Sequence, residues 1–257
     1  MARGDSDLTE EQRRIRERFV DERGYWREEW DHLLRLDPEF FERYRELASH
    51  PWKAGTLDSR MRELVLVAAN SATTHLNHEG MRTHIGQALD EGATVDEVME
   101  VLQLASTLGI HSVSVGVDAL AERAGFPDRT EAQRESMAAV KADWAEYLSD
   151  DWDDIVAYDH GYLDTFMRFS SHPWRTGALD PGEKELIYIA IDASTTHLYE
   201  QGLGFHIDHA LENSDVTPEQ IMEVFELVSD LGMQTVTEGV PILVEEAAAR
   251  DRLPEES

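Results

Sequence analysis

The stretch TTHLNHEGMRTHIGQAL at positions 73–89 returns at 195–211 as TTHLYEQGLGFHIDHAL, with nine of seventeen positions identical. A shift of 122 residues also pairs Trp30 with Trp152, SHPWKAGTLD with SHPWRTGALD, and Glu63-Leu64 with Glu185-Leu186. One extra residue near Ser214 moves the shift to 123, which pairs MEVLQL from Met99 with MEVFEL from Met222, and Leu108-Gly109 with Leu231-Gly232. The chain is a tandem duplication, and the extra residue is expected in a loop. This restricts the fold severely. A helical unit with one apolar face cannot cover that face alone, so two copies most simply pack together about a pseudo-twofold axis, and their sites come as related pairs.

Helix-start signals recur in register. Thr9 with Gln12, Thr130 with Gln133, Thr94 with Glu97, and Thr217 with Gln220 have capping-box spacing, and Asp180-Pro181 with Glu183 adds proline at a first helical position. Between caps the apolar period is helical, as in Met81, Ile85, Ala88 and in Leu203, Ile207, Ala210. No alternating strand pattern or hairpin dipeptide stands out. The expectation is an all-α fold of two tandem bundles, residues 1–126 and 127–257, joined around RAGFPDRTE at 123–131.

Composition narrows the function. The 257 residues can bury a core without disulfides or structural metal. There are 53 acidic and 23 basic residues, a formal net charge of -30, and only Lys53, Lys141 and Lys184 are lysines. Self-repulsion on that scale is tolerable where salt is concentrated, the Debye length being about 3 Å at 1 M, so a salt-accumulating, halophilic cytoplasm is expected. The same charge argues against nucleic acid or anionic membrane as a partner, since phosphate binding needs basic patches. With no cysteine there is no thiol chemistry. The opening MARGDSDLTEEQRR lacks the apolar stretch of a secretory signal, and no later run reads as a membrane helix. A soluble cytoplasmic protein is the expectation.

Six of eleven histidines form repeated pairs. His50 and His172 precede Pro-Trp, where proline is expected to hold an extended turn packed by tryptophan. His84 and His206 project from the apolar helix face, either as core imidazoles satisfied by one hydrogen bond or as general acids or bases. His75 and His197 are expected at the end of the preceding helix, and a sharp turn at Gly80 or Gly202 would bring each back towards its partner nine residues on. Thr74 and Thr196, beside them, read first as capping or turn hydrogen bonders. His111 and its counterpart Gln234 read as hydrogen-bonding groups on the third helix. One alternative is a divalent metal held by His75, His78 and His84, or by His197, Glu200 and His206, although the spacing follows no standard metal motif.

The order of Glu-Leu on an apolar helix, a short polar turn, a helix carrying His with Ala four residues on, and an EVMEVLQL-like helix resembles the carboxymuconolactone decarboxylase family, which includes alkylhydroperoxidase D-like proteins. The resemblance covers roughly 52–124 and again 174–247. It implies an all-helical bundle and a homo-oligomer, with a trimer as one form, in which a duplicated chain stands for two subunits. In the peroxidase branch a Cys-x-x-Cys pair begins twelve residues after the helix glutamate; here that count lands on His75 and on His197. No thiol occupies either place, so thiol peroxidase chemistry is not expected. The decarboxylase branch implies a cofactor-free lyase acting on a small carboxylated lactone. Under that reading His84 and His206 transfer protons, His75 and His197 orient or donate to an oxyanion, and Arg62, Lys184 and then Arg82 anchor the carboxylate, with Thr74 and Thr196 alongside. The rival readings are a non-catalytic scaffold of the same family and the metal-dependent enzyme above.

Overall fold

The computed structural model describes residues 8–144 and 152–253; residues 1–7, part of the charged opening read above, lie outside them. All regular structure among the described residues is helical. The first half runs α1 (Glu10–Arg23), α2 (Trp30–Leu36), α3 (Pro38–Ala48), α4 (His50–Ala54), α5 (Ser59–Ser71), α6 (His78–Asp90), α7 (Val95–Ser106) and α8 (His111–Ala124). The second runs α9 (Glu131–Asp143), α10 (Asp153–Ser170), α11 (His172–Thr176), α12 (Pro181–Ala193), α13 (Glu200–Asn213), α14 (Pro218–Ser229) and α15 (Gln234–Ala248).

The capping boxes form as the spacing implies at Thr9, Thr94, Thr130 and Thr217, and Asp180 donates its backbone N–H to Glu183 at 2.9 Å. The extra residue of the second half, expected in a loop, instead lengthens α13 by one position over α6. The break between α2 and α3 at Asp37 (φ -149°, ψ 78°) recurs as a kink at Asp159 (φ -150°, ψ 83°) inside α10. Its cause is the same in both places: the aspartate side chain caps the backbone N–H three residues on, that of Phe40 or Tyr162. His50 and His172 are not in extended turns. They open the five-residue helices α4 and α11, because proline in a first helical turn forfeits no hydrogen bond.

The two halves interlock rather than sit side by side. In α5 every residue from Met61 to Ser71 is buried, and α5 and α12 pack together at the centre of one core that α7 and α14 close. Each half's leading helices reach across to the other half's last helix. Phe19, Trp30, Phe41 and Tyr44 pack with Met233 and Val240 at the α15 end, and Ile155, Leu163 and Met167 pack with Ile110 and Val117 at the α8 end. Trp30 Nε1 donates to Thr237 Oγ1 at 2.9 Å. The expected boundary at 126 falls in the link between α8 and α9, but the core does not divide there.

The span Val95–Ala124 is, contrary to the sequence expectation, long and apolar enough by composition to pass as a membrane helix. In the fold it is interrupted by a 3-10 turn at Thr107–Ile110, and Val98, Val101 and Leu104 of its α7 part are buried in the core.

Candidate functional site

A cavity of about 350 Å3 opens in the second half between α10, α12 and α13, closed by the end of α7 and the start of α8. Its walls include Trp152, Ile155, Phe166 and Met167, so the aromatic leading helix of that half covers the site.

One polar end is organised by Glu185 of α12. His206 and His209, one turn apart on α13, place Nδ1 at 2.7 and 2.8 Å from its two carboxylate oxygens. When each Nδ1 carries the donated hydrogen, Nε2 is the nitrogen left to exchange a proton. Tyr188 stacks on the His206 ring with centroids 4.4 Å apart, and burial pushes its phenol up to about 12. It stays a neutral donor.

The other polar end joins three elements. His197, in the turn after α12, places Nε2 2.8 Å from Nδ1 of His111 and 3.7 Å from an Asp192 oxygen. His111, at the start of α8, also stacks on Tyr199, whose hydroxyl lies 3.3 Å from Ser114 Oγ. Burial, followed by the neighbouring charges of His197 and His206, lowers His111 to about 4, and burial also lowers His197. Burial raises Asp192 to about 7, against an opposing pull from His206, and one of its carboxylate oxygens has no hydrogen-bond partner.

The turn that presents His197 depends on left-handed backbone at Leu198 (φ 48°), and the first half repeats it at Leu76 (φ 45°). A leucine in that region is uncommon and strained. The turn is held by Leu198 N–H to Ser194 and Tyr199 N–H to Asp192, with the matching bonds to Ala72 and Asn70 in the first half. The reversal therefore falls on Leu76 and Leu198, not on Gly80 and Gly202 as the sequence suggested. Those glycines have another use: a Cβ at Gly80 would strike Asn70, and one at Gly202 would strike Asp192.

In the first half, His84 Nδ1 likewise meets Glu63 at 2.7 Å, but the space beside it is nearly filled. Tyr25, Trp30 and Tyr44 leave only about 20 Å3 there, with the Tyr25 ring edge against His84. The counterparts of Asp192, Tyr199 and His111 are Asn70, Asn77 and Gln234. They close an amide network in which Gln234 donates to Asn70 at 2.8 Å and accepts from Asn77 at 2.6 Å. His75 keeps a buried Nε2 with no hydrogen-bond partner.

The cations expected to anchor a carboxylate are engaged elsewhere. Arg62 Nε donates to Glu223 at 2.6 Å and Lys184 Nζ meets Glu100 at 3.2 Å, all four side chains being buried. Each glutamate also accepts from a backbone N–H, that of Leu57 or Leu179, so these pairs tie the centre of one half to the α14 or α7 of the other. Adjacent helical residues do not share a face, which is why Arg62 and Lys184 point away from the sites that Glu63 and Glu185 serve. Arg82 is exposed beside Glu79, and Thr74, Thr196, His78 and Glu200 are exposed. Neither expected metal triad assembles. Among the described residues, the three donors that gather within 4.8 Å of one another are those of His111, Asp192 and His197.

Reading the repeat found the His84 and His206 pair but passed over Asp192, Tyr188, Tyr199 and His209, none of which has a like counterpart. Asp192 did carry a signal, as a lone acid in the apolar run IYIAIDA.

The profile of the carboxymuconolactone decarboxylase family matches residues 38–122 and 161–243. Among solved structures, a candidate gamma-carboxymuconolactone decarboxylase subunit from Burkholderia xenovorans LB400 superposes with a TM-score of 0.84 at 38% identity, over 93% of this chain and 98% of that one. No curated protein matches. With both repeats matched, and the whole chain similar to a protein of the same description, the chain belongs to the carboxymuconolactone decarboxylase family.

Proposed function

We propose that the second-half cavity decarboxylates a small carboxylated lactone or related ring acid without a thiol, and that the chain is not a thiol peroxidase. One observation carries this reading: an imidazole clamped through Nδ1 by a buried glutamate faces an apolar-walled cavity of about 350 Å3, within the size range of small-molecule sites.

In the reaction the bond from ring carbon to carboxylate breaks and CO2 leaves. The electron pair stays on the ring, delocalised onto a conjugated carbonyl oxygen. Protonated His206 then delivers a proton from Nε2 to carbon, Glu185 having stabilised the imidazolium, and the neutral ring regains its proton from solvent. His209 shares the same clamp and can relay that proton. At the far end His111, held through Nδ1 by His197, can donate from Nε2 to the developing oxyanion.

No arginine or lysine among the described residues lines the cavity, and this suits the chemistry. A strong cation on the carboxylate would stabilise the ground state that must lose CO2, whereas apolar walls desolvate it.

The first half is read as scaffold, because its site is filled. The test is turnover of a lactone and ring-acid panel by His206→Gln, with His84→Gln beside it. Loss in the first variant only is expected; equal rates in both would remove the proposal.

A further inference from the structure

The positions at which the two sites differ most fall on one cluster. Asparagine 70 becomes Asp192 and glutamine 234 becomes His111, while His75 is retained as His197. In the first half the two amides satisfy each other. In the second, the same backbone positions carry a carboxylate and an imidazole, which are metal-ligand chemistry; Asp192 turns Oδ1 towards His197, and its Oδ2 is buried with no partner.

We infer that His111, Asp192 and His197 bind one divalent transition-metal ion at the far end of the cavity from Glu185. Their donor atoms lie within 4.8 Å of one another and come from three separate elements, the start of α8, α12 and the turn after it. His111 Nδ1 and His197 Nε2 are 2.8 Å apart, and His197 Nε2 and the Asp192 oxygen are 3.7 Å apart. Bonds of about 2.0 to 2.1 Å at octahedral or tetrahedral angles place donors about 2.8 to 3.4 Å apart, so small rotations of two side chains complete the site. Two facing imidazole nitrogens can hold only one hydrogen between them, and a cation in its place satisfies both nitrogens and the carboxylate together. Gly202 leaves the space that Asp192 occupies, and Tyr199 fixes the His111 ring by stacking. Two nitrogens and one oxygen with the remaining positions open to a cavity suit Zn(II), Fe(II), Mn(II) or Co(II). An ion there would take over the oxyanion-holding role given above to the imidazole pair. Its binding is measurable without any substrate, so it stands or falls separately from the decarboxylase reading.

The test is a Co(II) titration of chelator-stripped protein in molar salt, followed by visible absorption and competed with Zn(II). Saturation at one equivalent, with the intense d–d bands of a nitrogen-containing site, is expected. The Asp192→Asn, His111→Gln double variant carries the first half's own residues at these positions. It should bind on the order of 100-fold more weakly, with an unchanged helical circular dichroism spectrum. If the double variant folds poorly, His111→Gln alone should weaken binding on the order of tenfold. Only weak, unsaturable binding with carboxylate-type bands in the parent protein would overturn the inference, as would equal affinity in a folded variant.

Discussion

The two halves hold the same glutamate–imidazole pair at the same 2.7 Å, yet one faces about 350 Å3 of space and the other about 20 Å3. The difference lies in what surrounds the pair. In the first half, tyrosine and tryptophan from the leading helices fill the space and neutral amides satisfy one another. In the second, phenylalanine, methionine and isoleucine line it, and titratable groups stand where the amides were. Duplication has separated two tasks that a single copy would combine, one half keeping packing and the other keeping a cavity with chemically capable groups.

The largest effect should separate His206 from His84. His206→Gln is expected to lower turnover by about 10²- to 10⁴-fold, and His84→Gln by no more than about threefold, as measured by steady-state kinetics on the active acid. Next, the ion pairs should show no such asymmetry. Arg62→Met and Lys184→Met each strand a buried glutamate, so each is expected to cost about 3 kcal/mol in denaturant unfolding, and markedly unequal costs would contradict the shared-core architecture.

Asp192→Asn should stabilise the metal-free protein. A carboxyl raised from 3.8 to about 7 by burial stays protonated in the fold where the unfolded chain ionises. The resulting penalty grows as pH rises from 3.8 to 7 and is then constant. That penalty is about 4 kcal/mol for the full shift; the new amide's own desolvation offsets part of it, leaving a gain of about 2 kcal/mol at pH 8, read as a higher melting temperature that converges on the parent's below pH 4. The new amide can donate to the Tyr188 carbonyl as Asn70 does to Leu66.

The smallest effect is an acid-sensitive contact at Glu22 that the second half lacks. Burial alone would raise Glu22, but hydrogen bonds from Lys53 and Arg45 outweigh it and hold the carboxyl at about 2. With the folded value depressed, this contribution is present above 4.5 and is lost as pH falls from there towards 2. It should amount to about 1 kcal/mol after solvent screening. Met167 stands where Arg45 does, so Glu22→Gln should remove the effect with no counterpart to take its place, as melting curves between pH 5 and 3 would register.

Much of this architecture was legible in one dimension. The caps at Thr94 and Thr217 and the inward faces of His84 and His206 follow from local spacing, and local spacing survives into the fold. Arg62 and Lys184 were misread because a repeated cation beside a repeated glutamate suggests a shared site, whereas a helix turns adjacent residues to different faces. Asp192 and His209 were passed over because attention to what repeats discards what differs.

The sequence by itself determined two helical copies, their register and the imidazoles on their inner faces, since periodicity and capping act over a few residues. Only the tertiary structure decided which copy keeps an open cavity and which groups share it. Cavity volume is what remains after side chains from α1 to α3, or from α10, fill the space over α5 or α12. Those contacts, like the meeting of His111 with His197, join residues far apart in the chain, which local spacing cannot rank.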